Sequence, residues 1–215
     1  MGLDFSWIRK IIDESRSMNA SVYKISSNGL EEKCFTYSRN LRPTPIGFTI
    51  EGKYFDLKNQ LSCQINLAIS NNGDLQYQES HPGLQETSSI TFSNSQAVFK
   101  NSKSEKIIQL RRPTWVLANL PYAVMQQISK GLKTQKLHLD FADALTQQVH
   151  EITISISTID PQHNSAKYPE SNGDTGELLF LNATNQLLQW KGIMRPQLHQ
   201  SGQWQNFYGI MKFGV

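Results

Sequence analysis

From Ala20 to Phe99 apolar and polar positions alternate with period two, and the alternation is broken by turn residues rather than by helical stretches. Ser26-Ser27-Asn28-Gly29 and Asn71-Asn72-Gly73-Asp74 have the composition of hairpin turns, and Glu51-Gly52 reads as the joint of a shorter pair. Arg42-Pro43-Thr44-Pro45 is not expected in a central strand, because proline has no N–H to give to a ladder, and His81-Pro82-Gly83 starts a polar loop that reaches Ser89. Further on, Leu137, Leu139 and Phe141 alternate with His138 and Asp140. Ile152, Ile154 and Ile156 alternate with Thr153, Ser155 and Ser157, the cleanest half-buried strand in the chain. Leu178–Leu181, Leu187–Met194 and Trp204–Phe213 complete the strands, whereas residues 160–177 lack periodicity and read as an exposed, mobile loop.

Two segments follow a helical period instead. Phe5, Trp7, Ile8, Ile11, Ile12 and Met18 fall on one arc and Arg9, Lys10, Asp13 and Arg16 on the other, which predicts an amphipathic helix from Asp4, its N-cap, to Met18. Leu120, Val124 and Ile128 share a face with Met125 beside them, while Tyr122, Gln126 and Lys130 lie opposite. Asn119 can cap this second helix, Pro121 suits its first turn and Gly131 stops it, so it should pack one side onto a sheet. The expected fold class is α+β: a single domain with a mostly antiparallel β-sheet over 20–215, an N-terminal amphipathic helix in 1–19 and a second, central helix.

Composition agrees with a sheet that keeps one wet face. Of 215 residues 38% are hydrophobic, which is low, and Asn, Gln and Ser are abundant. No apolar run approaches the roughly 20 residues that span a bilayer, and the N-terminus lacks the apolar core of a signal peptide, so a cytoplasmic protein is expected. Cys34 and Cys63 fall in strand-like stretches and read as buried, reduced thiols, with no disulfide, metal or cofactor expected.

Charge changes the picture at one place. Lys100, Lys103, Lys106, Arg111, Arg112, Lys130, Lys133 and Lys136 are opposed within their stretch only by Glu105, so the net +3 of the chain is a local excess. Such a stretch is the sequence footprint of an anion-binding surface, with Trp115 and Tyr122 as candidates for stacking on a base. At the other end, Gly2 with Ser6 fits the pattern for N-myristoylation, which would set Arg9 and Lys10 at lipid headgroups.

Catalytic motifs are few. Asp174-Thr175-Gly176 matches aspartic proteases in three letters, but polar Ser171-Asn172-Gly173 precedes it, so a turn explains it better. There is no Gly-x-Ser-x-Gly elbow, Walker A loop or dinucleotide fingerprint, and His81, His138, His150, His163 and His199 lack metal-site spacing. An enzymatic site, were there one, is expected around His138, Asp140 and His150.

The stretch Ile152-Thr153-Ile154-Ser155-Ile156-Ser157-Thr158-Ile159-Asp160, the apolar run Leu187–Met194 leading to Gly202-Gln203-Trp204, the acylation pattern and the basic stretch resemble matrix proteins of negative-strand RNA viruses, especially the rhabdovirus type. The resemblance covers the C-terminal third. It implies a non-enzymatic, self-associating peripheral protein, cytoplasmic at the inner face of a membrane and carried in virions, that bridges an anionic membrane surface and ribonucleoprotein. Pro43-Thr44-Pro45 only approximates a Pro-Thr-Ala-Pro budding signal, and no Pro-Pro-x-Tyr is present. The alternative is a soluble nucleic-acid-binding protein that uses the basic residues of 100–136.

Overall fold

A computed structural model describes residues 17–70, 74–93, 95–117, 120–129, 135–183, 186–196, 198–200 and 203–214. The first half is a run of hairpins: β1 Ser17–Ile25, β2 Glu31–Thr44, β3 Gly47–Asp56, β4 Leu61–Ser70, β5 Leu75–His81, β6 Glu86–Ser93, β7 Gln96–Asn101 and β8 Glu105–Gln109. After a short strand β9 Thr114–Val116 and a helix α1 Leu120–Ser129 come β10 Gln135–Asp143, β11 Gln148–Asp160, β12 His163–Pro169, β13 Thr175–Leu181 and β14 Gln186–Ile193. A small hairpin, β15 Leu198–Gln200 with β16 Gln203–Gln205, precedes β17 Tyr208–Phe213.

Fifteen of these strands form one sheet in the order β8-β7-β6-β5-β4-β3-β2-β1-β17-β14-β13-β12-β11-β10-β9. Each pairing is antiparallel except β9 with β10, where Asp140, Phe141 and Ala142 run parallel to Thr114, Trp115 and Val116. The two edge strands, β8 and β9, are consecutive in the chain and only Leu110 to Pro113 separate them, so the sheet's ends must lie side by side. No ladder joins them. Instead Lys106 Nζ donates to the Gln147 carbonyl at 3.1 Å, and Ser104 Oγ donates to Gln147 Oε1 at 3.0 Å. The result is a barrel-like sheet in which side chains tie the start of β8 to the β10–β11 turn.

A sheet this wide curls, and its concave side leaves an interior to be filled. Here α1 fills it. Leu120, Ala123, Val124, Met125, Ile128 and the polar Gln126 are all buried, so this helix is covered on more than the one face of an apolar stripe. Pro121 in its first turn faces a residual cavity of ≈ 30 Å³ lined by the inner faces of β2, β3, β4, β14 and β17 through Tyr37, Tyr54, Leu67, Trp190 and Met211. Gln126, expected on a wet face, is therefore inside.

The fold class thus differs from the α+β expectation: an open, mostly antiparallel, mixed sheet dominates, and among the described residues α1 is the sole α-helix. The N-terminal helix expected within 1–19 falls largely outside the described residues, as do Gly2, Arg9 and Lys10, but Met18 belongs to β1. Pro43 lies in β2 after all. It pairs with Phe48 one step before the Thr44–Gly47 hairpin, where Pro45 suits a tight turn and a missing donor costs little. Glu51-Gly52 runs straight through β3, and the polar segment after His81 is a single 3-10 turn, Pro82–Leu84, before β6. The mobile loop expected over 160–177 is a hairpin whose strand β12 buries Asn164, Ser165, Ala166 and Tyr168. Polar letters hid it. Across that hairpin the Tyr168 ring lies 2.2 Å from where a Cβ of Gly176 would be, so glycine is the residue that lets the ring lie flat on the partner strand.

Candidate functional site

The outer face of the sheet carries the residues that alternate with the core. Cross-strand register sets Asn40, Glu51, Asn66, Gln78 and Ser89 in one row across β2 to β6, and Arg42, Thr49, Ala68, Gln76 and Thr91 in the next. These two rows line a groove of ≈ 460 Å³. Most of its polar groups are amides and hydroxyls, and an amide presents both a donor and an acceptor. Its carboxylate, Glu51, is countered by Lys53 at 2.8 Å and accepts from Gln64 Nε2 at 3.1 Å.

A second, shallower depression of ≈ 540 Å³ continues on the same face over β17, β1, β2 and β3. Lys212, Ser21, Thr36 and Phe55 stand in register across it, and Tyr23 borders it with Lys212 Nζ 5.2 Å from its ring centre. Lys212 is held in turn by Glu31 at 2.5 Å. With strands spaced about 4.8 Å apart, the two depressions together span about 30 Å from β17 to β6.

Inside the sheet the chemistry is different. On β5 the inward positions are Leu75, Tyr77, Glu79 and His81, all buried. The Tyr77 hydroxyl donates to Glu79 Oε2 at 2.6 Å, and His81 Nε2 lies 2.9 Å from Oε1. Arg195, which follows β14, reaches Glu79 at 3.6 Å and Asp143, at the end of β10, at 3.3 Å. One guanidinium thereby ties β5 to the far half of the sheet. Burial alone would push the Glu79 carboxyl up, but the Arg195 charge and the bonds from His81 and Tyr77 outweigh it and hold it below the ordinary range. Burial would likewise lower the Arg195 guanidinium, and Glu79, Tyr77 and Asp143 raise it instead. Cys63 on β4 is fully buried beside this cluster, and burial raises its thiol well above the usual value. Cys34 is half-buried, and desolvation lifts its thiol to about 11. Both are free thiols.

The expected binding residues are scattered by this fold. Arg112 bonds Asp140 at 2.7 Å and also Glu151, so its charge is compensated. Lys106 is spent on the Gln147 carbonyl, Lys100 sits on β7, Lys103 on the β7–β8 turn, Lys136 on β10 and Arg111 in the link between the edges. Lys130 and Lys133 lie outside the described residues, as does the side chain of Tyr122. Trp115 is buried at 2% exposure and presents no ring to stack on. His138 and Asp140 share the outer face with Thr153 and Glu151, whereas His150 stands in register with the inward Phe141, so the three do not converge. Asp174 closes the β12–β13 turn, where the Glu170 N–H donates to its carbonyl at 2.9 Å.

Glu79, His81 and Arg195 were not singled out by sequence reasoning. A signal for two of them existed: Glu79 and His81 are in phase with Leu75 and Tyr77, which predicts inward side chains. Arg195 carried no such mark.

No family model and no curated protein matches the sequence. Among solved structures the chain is similar to a beta-barrel-like protein of domain of unknown function DUF1849 from Brucella abortus, at a TM-score of 0.55 and 10% identity over 92% of this chain and 95% of that one. At that identity the likeness is one of fold. It nonetheless overturns the matrix-protein resemblance, because nearly the whole chain follows a barrel-like plan. Ile152–Asp160 belongs to β11, in the middle of the sheet's second half, and among the described residues no helix comes after it. The matrix-type assembly function falls with it, and the RNA-binding alternative, which rested on a gathered basic patch, falls because those cations are dispersed over β7, β8, β10 and their links. No helix among the described residues is long and apolar enough to cross a membrane.

Proposed function

We propose that this chain is a non-catalytic binding module that takes a neutral, polyhydroxylated polymer, a glycan chain, across the outer face from β17 to β6. The observation that carries the reading is the double row on β2–β6, mostly amides and hydroxyls with Arg42 and Glu51 among them, in a groove of ≈ 460 Å³. Vicinal hydroxyls pair with groups that both donate and accept, which Asn40, Asn66, Gln76 and Gln78 do. The half-exposed Tyr23 and Phe55 at the neighbouring depression supply apolar faces for the C–H side of a sugar ring.

Two rivals fit less well. An extended peptide adds to a sheet through its backbone, but the groove lies over paired central strands with no free edge to offer. Glycoside hydrolysis generally needs two carboxyl groups roughly 5 to 9.5 Å apart, and the groove is lined by a single carboxylate, Glu51. The interior is taken by α1, which leaves the outer face as the open surface.

Affinity electrophoresis through gels containing neutral polysaccharides tests this directly. Retardation is expected in at least one of dextran, a mixed-linkage β-glucan or a galactomannan, and should be abolished by Asn66→Ala with Gln78→Ala. Retardation by none of them, or by heparin and RNA alone, would dismiss the glycan reading.

A further inference from the structure

Strand alternation delivers three chemically different donors to one point inside the sheet. Glu79 and His81 are two residues apart on β5 and therefore share its inner face, and Cys63 lies on β4 next to the last register pair, Gln64 with Ser80. One donor atom from each, the Cys63 sulfur, a Glu79 carboxylate oxygen and a His81 ring nitrogen, all lie within 4.8 Å of one another. Their exposures are 0%, 0% and 3%. Separations of this size close onto a single ion with small side-chain movements, given metal–ligand distances of about 2.0 to 2.3 Å.

We propose that Cys63, Glu79 and His81 form a site for a borderline-soft divalent transition metal of the zinc class. The donor set selects against magnesium and calcium, which prefer oxygen, and suits zinc or cobalt, which take thiolate, imidazole and carboxylate together. Charge points the same way. Glu79 and Asp143 set two carboxylates around the one guanidinium of Arg195 at this point. A divalent ion that displaces the thiol proton adds one positive charge beside these carboxylates. In that step the Cys63 S–H bond breaks heterolytically, the electron pair stays on sulfur and is shared with the metal, and the proton leaves to buffer. Nothing is oxidised or reduced. The surroundings already resemble an outer shell: Tyr77 donates to the Glu79 carboxylate, and Arg195, anchored by Asp143, lies beside it.

The site is on the opposite side of the sheet from Asn66 and Gln78 and does not depend on the glycan reading. Because it is enclosed, the ion is best supplied while the chain folds. Untagged full chain refolded with one equivalent of cobalt(II) should retain one ion after gel filtration and show a near-ultraviolet thiolate-to-cobalt charge-transfer band. Zinc(II) should bleach the band and raise the thermal midpoint by several degrees. Cys63→Ser should lose the band and Cys34→Ser should keep it. X-ray absorption on the wild-type zinc form settles the matter even if Cys63→Ser does not fold: one sulfur scatterer at about 2.3 Å is expected. A shell of nitrogen and oxygen alone, no retained ion, or a band that survives Cys63→Ser overturns the proposal.

Discussion

Inside the sheet the fully buried Glu79 and the mostly buried Arg195 and Asp143 hold one another, whereas outside it Asn40, Asn66, Gln76 and Gln78 stand in rows open to solvent. β5 carries both, since Glu79 faces inward and Gln76 and Gln78 face outward on the same strand. The difference teaches where each kind of polar group can act. A buried charge has no water to fall back on, so its partners fix its geometry and removing one strands the others. An outer amide loses little when left alone, and is therefore free to meet a ligand. Stability and recognition are separated across the thickness of one sheet.

The largest expected effect comes from breaking the inner network. Arg195→Ala leaves the fully buried Glu79 carboxylate without its cation, and unfolding in denaturant should show a loss of about 3 to 5 kcal/mol. Neutralising the partners sharpens the comparison: Arg195→Met combined with Glu79→Gln and Asp143→Asn should recover most of that loss, because the cost lies in the stranded charge more than in the missing bond.

Acid comes next. Glu79 titrates lower in the folded chain than its ordinary 4.5, so its contribution is fully present above that pH and is lost as pH falls through the depressed folded value. Thermal midpoints measured on descending pH should therefore drop below about pH 4.5. Glu79→Gln should flatten the slope.

On the outer face the order reverses, with affinity moving while stability stays. Gln78→Ala removes one or two hydrogen bonds to a ligand, worth about 1 kcal/mol, and should weaken binding to a retained polysaccharide about fivefold with an unchanged thermal midpoint. The smallest effect belongs to Arg112→Ala. This guanidinium also bridges two carboxylates, Asp140 and Glu151, but it and Glu151 are about half exposed to solvent, and calorimetry should detect no change in the midpoint.

Much of the strand content was legible because period two survives wherever one face is buried: β11 and β17 lie where Ile152–Ile156 and the run ending at Phe213 put them. Helix α1 was legible in its place but not in its surroundings. Gln126 reads as a solvent residue, and only the curling of the sheet around the helix makes it an interior one. β12 was missed because His163-Asn164-Ser165 buries polar side chains, with Ser165 donating to Glu177 at 2.9 Å, and a scan for apolar alternation cannot see satisfied polar cores. The basic stretch misled for a related reason. Charges close in sequence were assumed to be close in space, yet the residues between Lys100 and Lys136 are divided among β7, β8, β9, α1 and β10. The outer polar rows were illegible, since Asn40, Glu51, Asn66, Gln78 and Ser89 come from five strands and meet only through register.

The most direct test of the outer-face claim is amide NMR of the isotopically labelled chain titrated with an oligosaccharide cut from the polysaccharide that retards it. Perturbations are predicted at the amides and side-chain NH2 groups of β1 to β6, centred on Asn66 and Gln78, with β10 and β11 silent. Shifts confined to β10, β11 and the 100–112 stretch, or no shifts at saturating sugar, would contradict it.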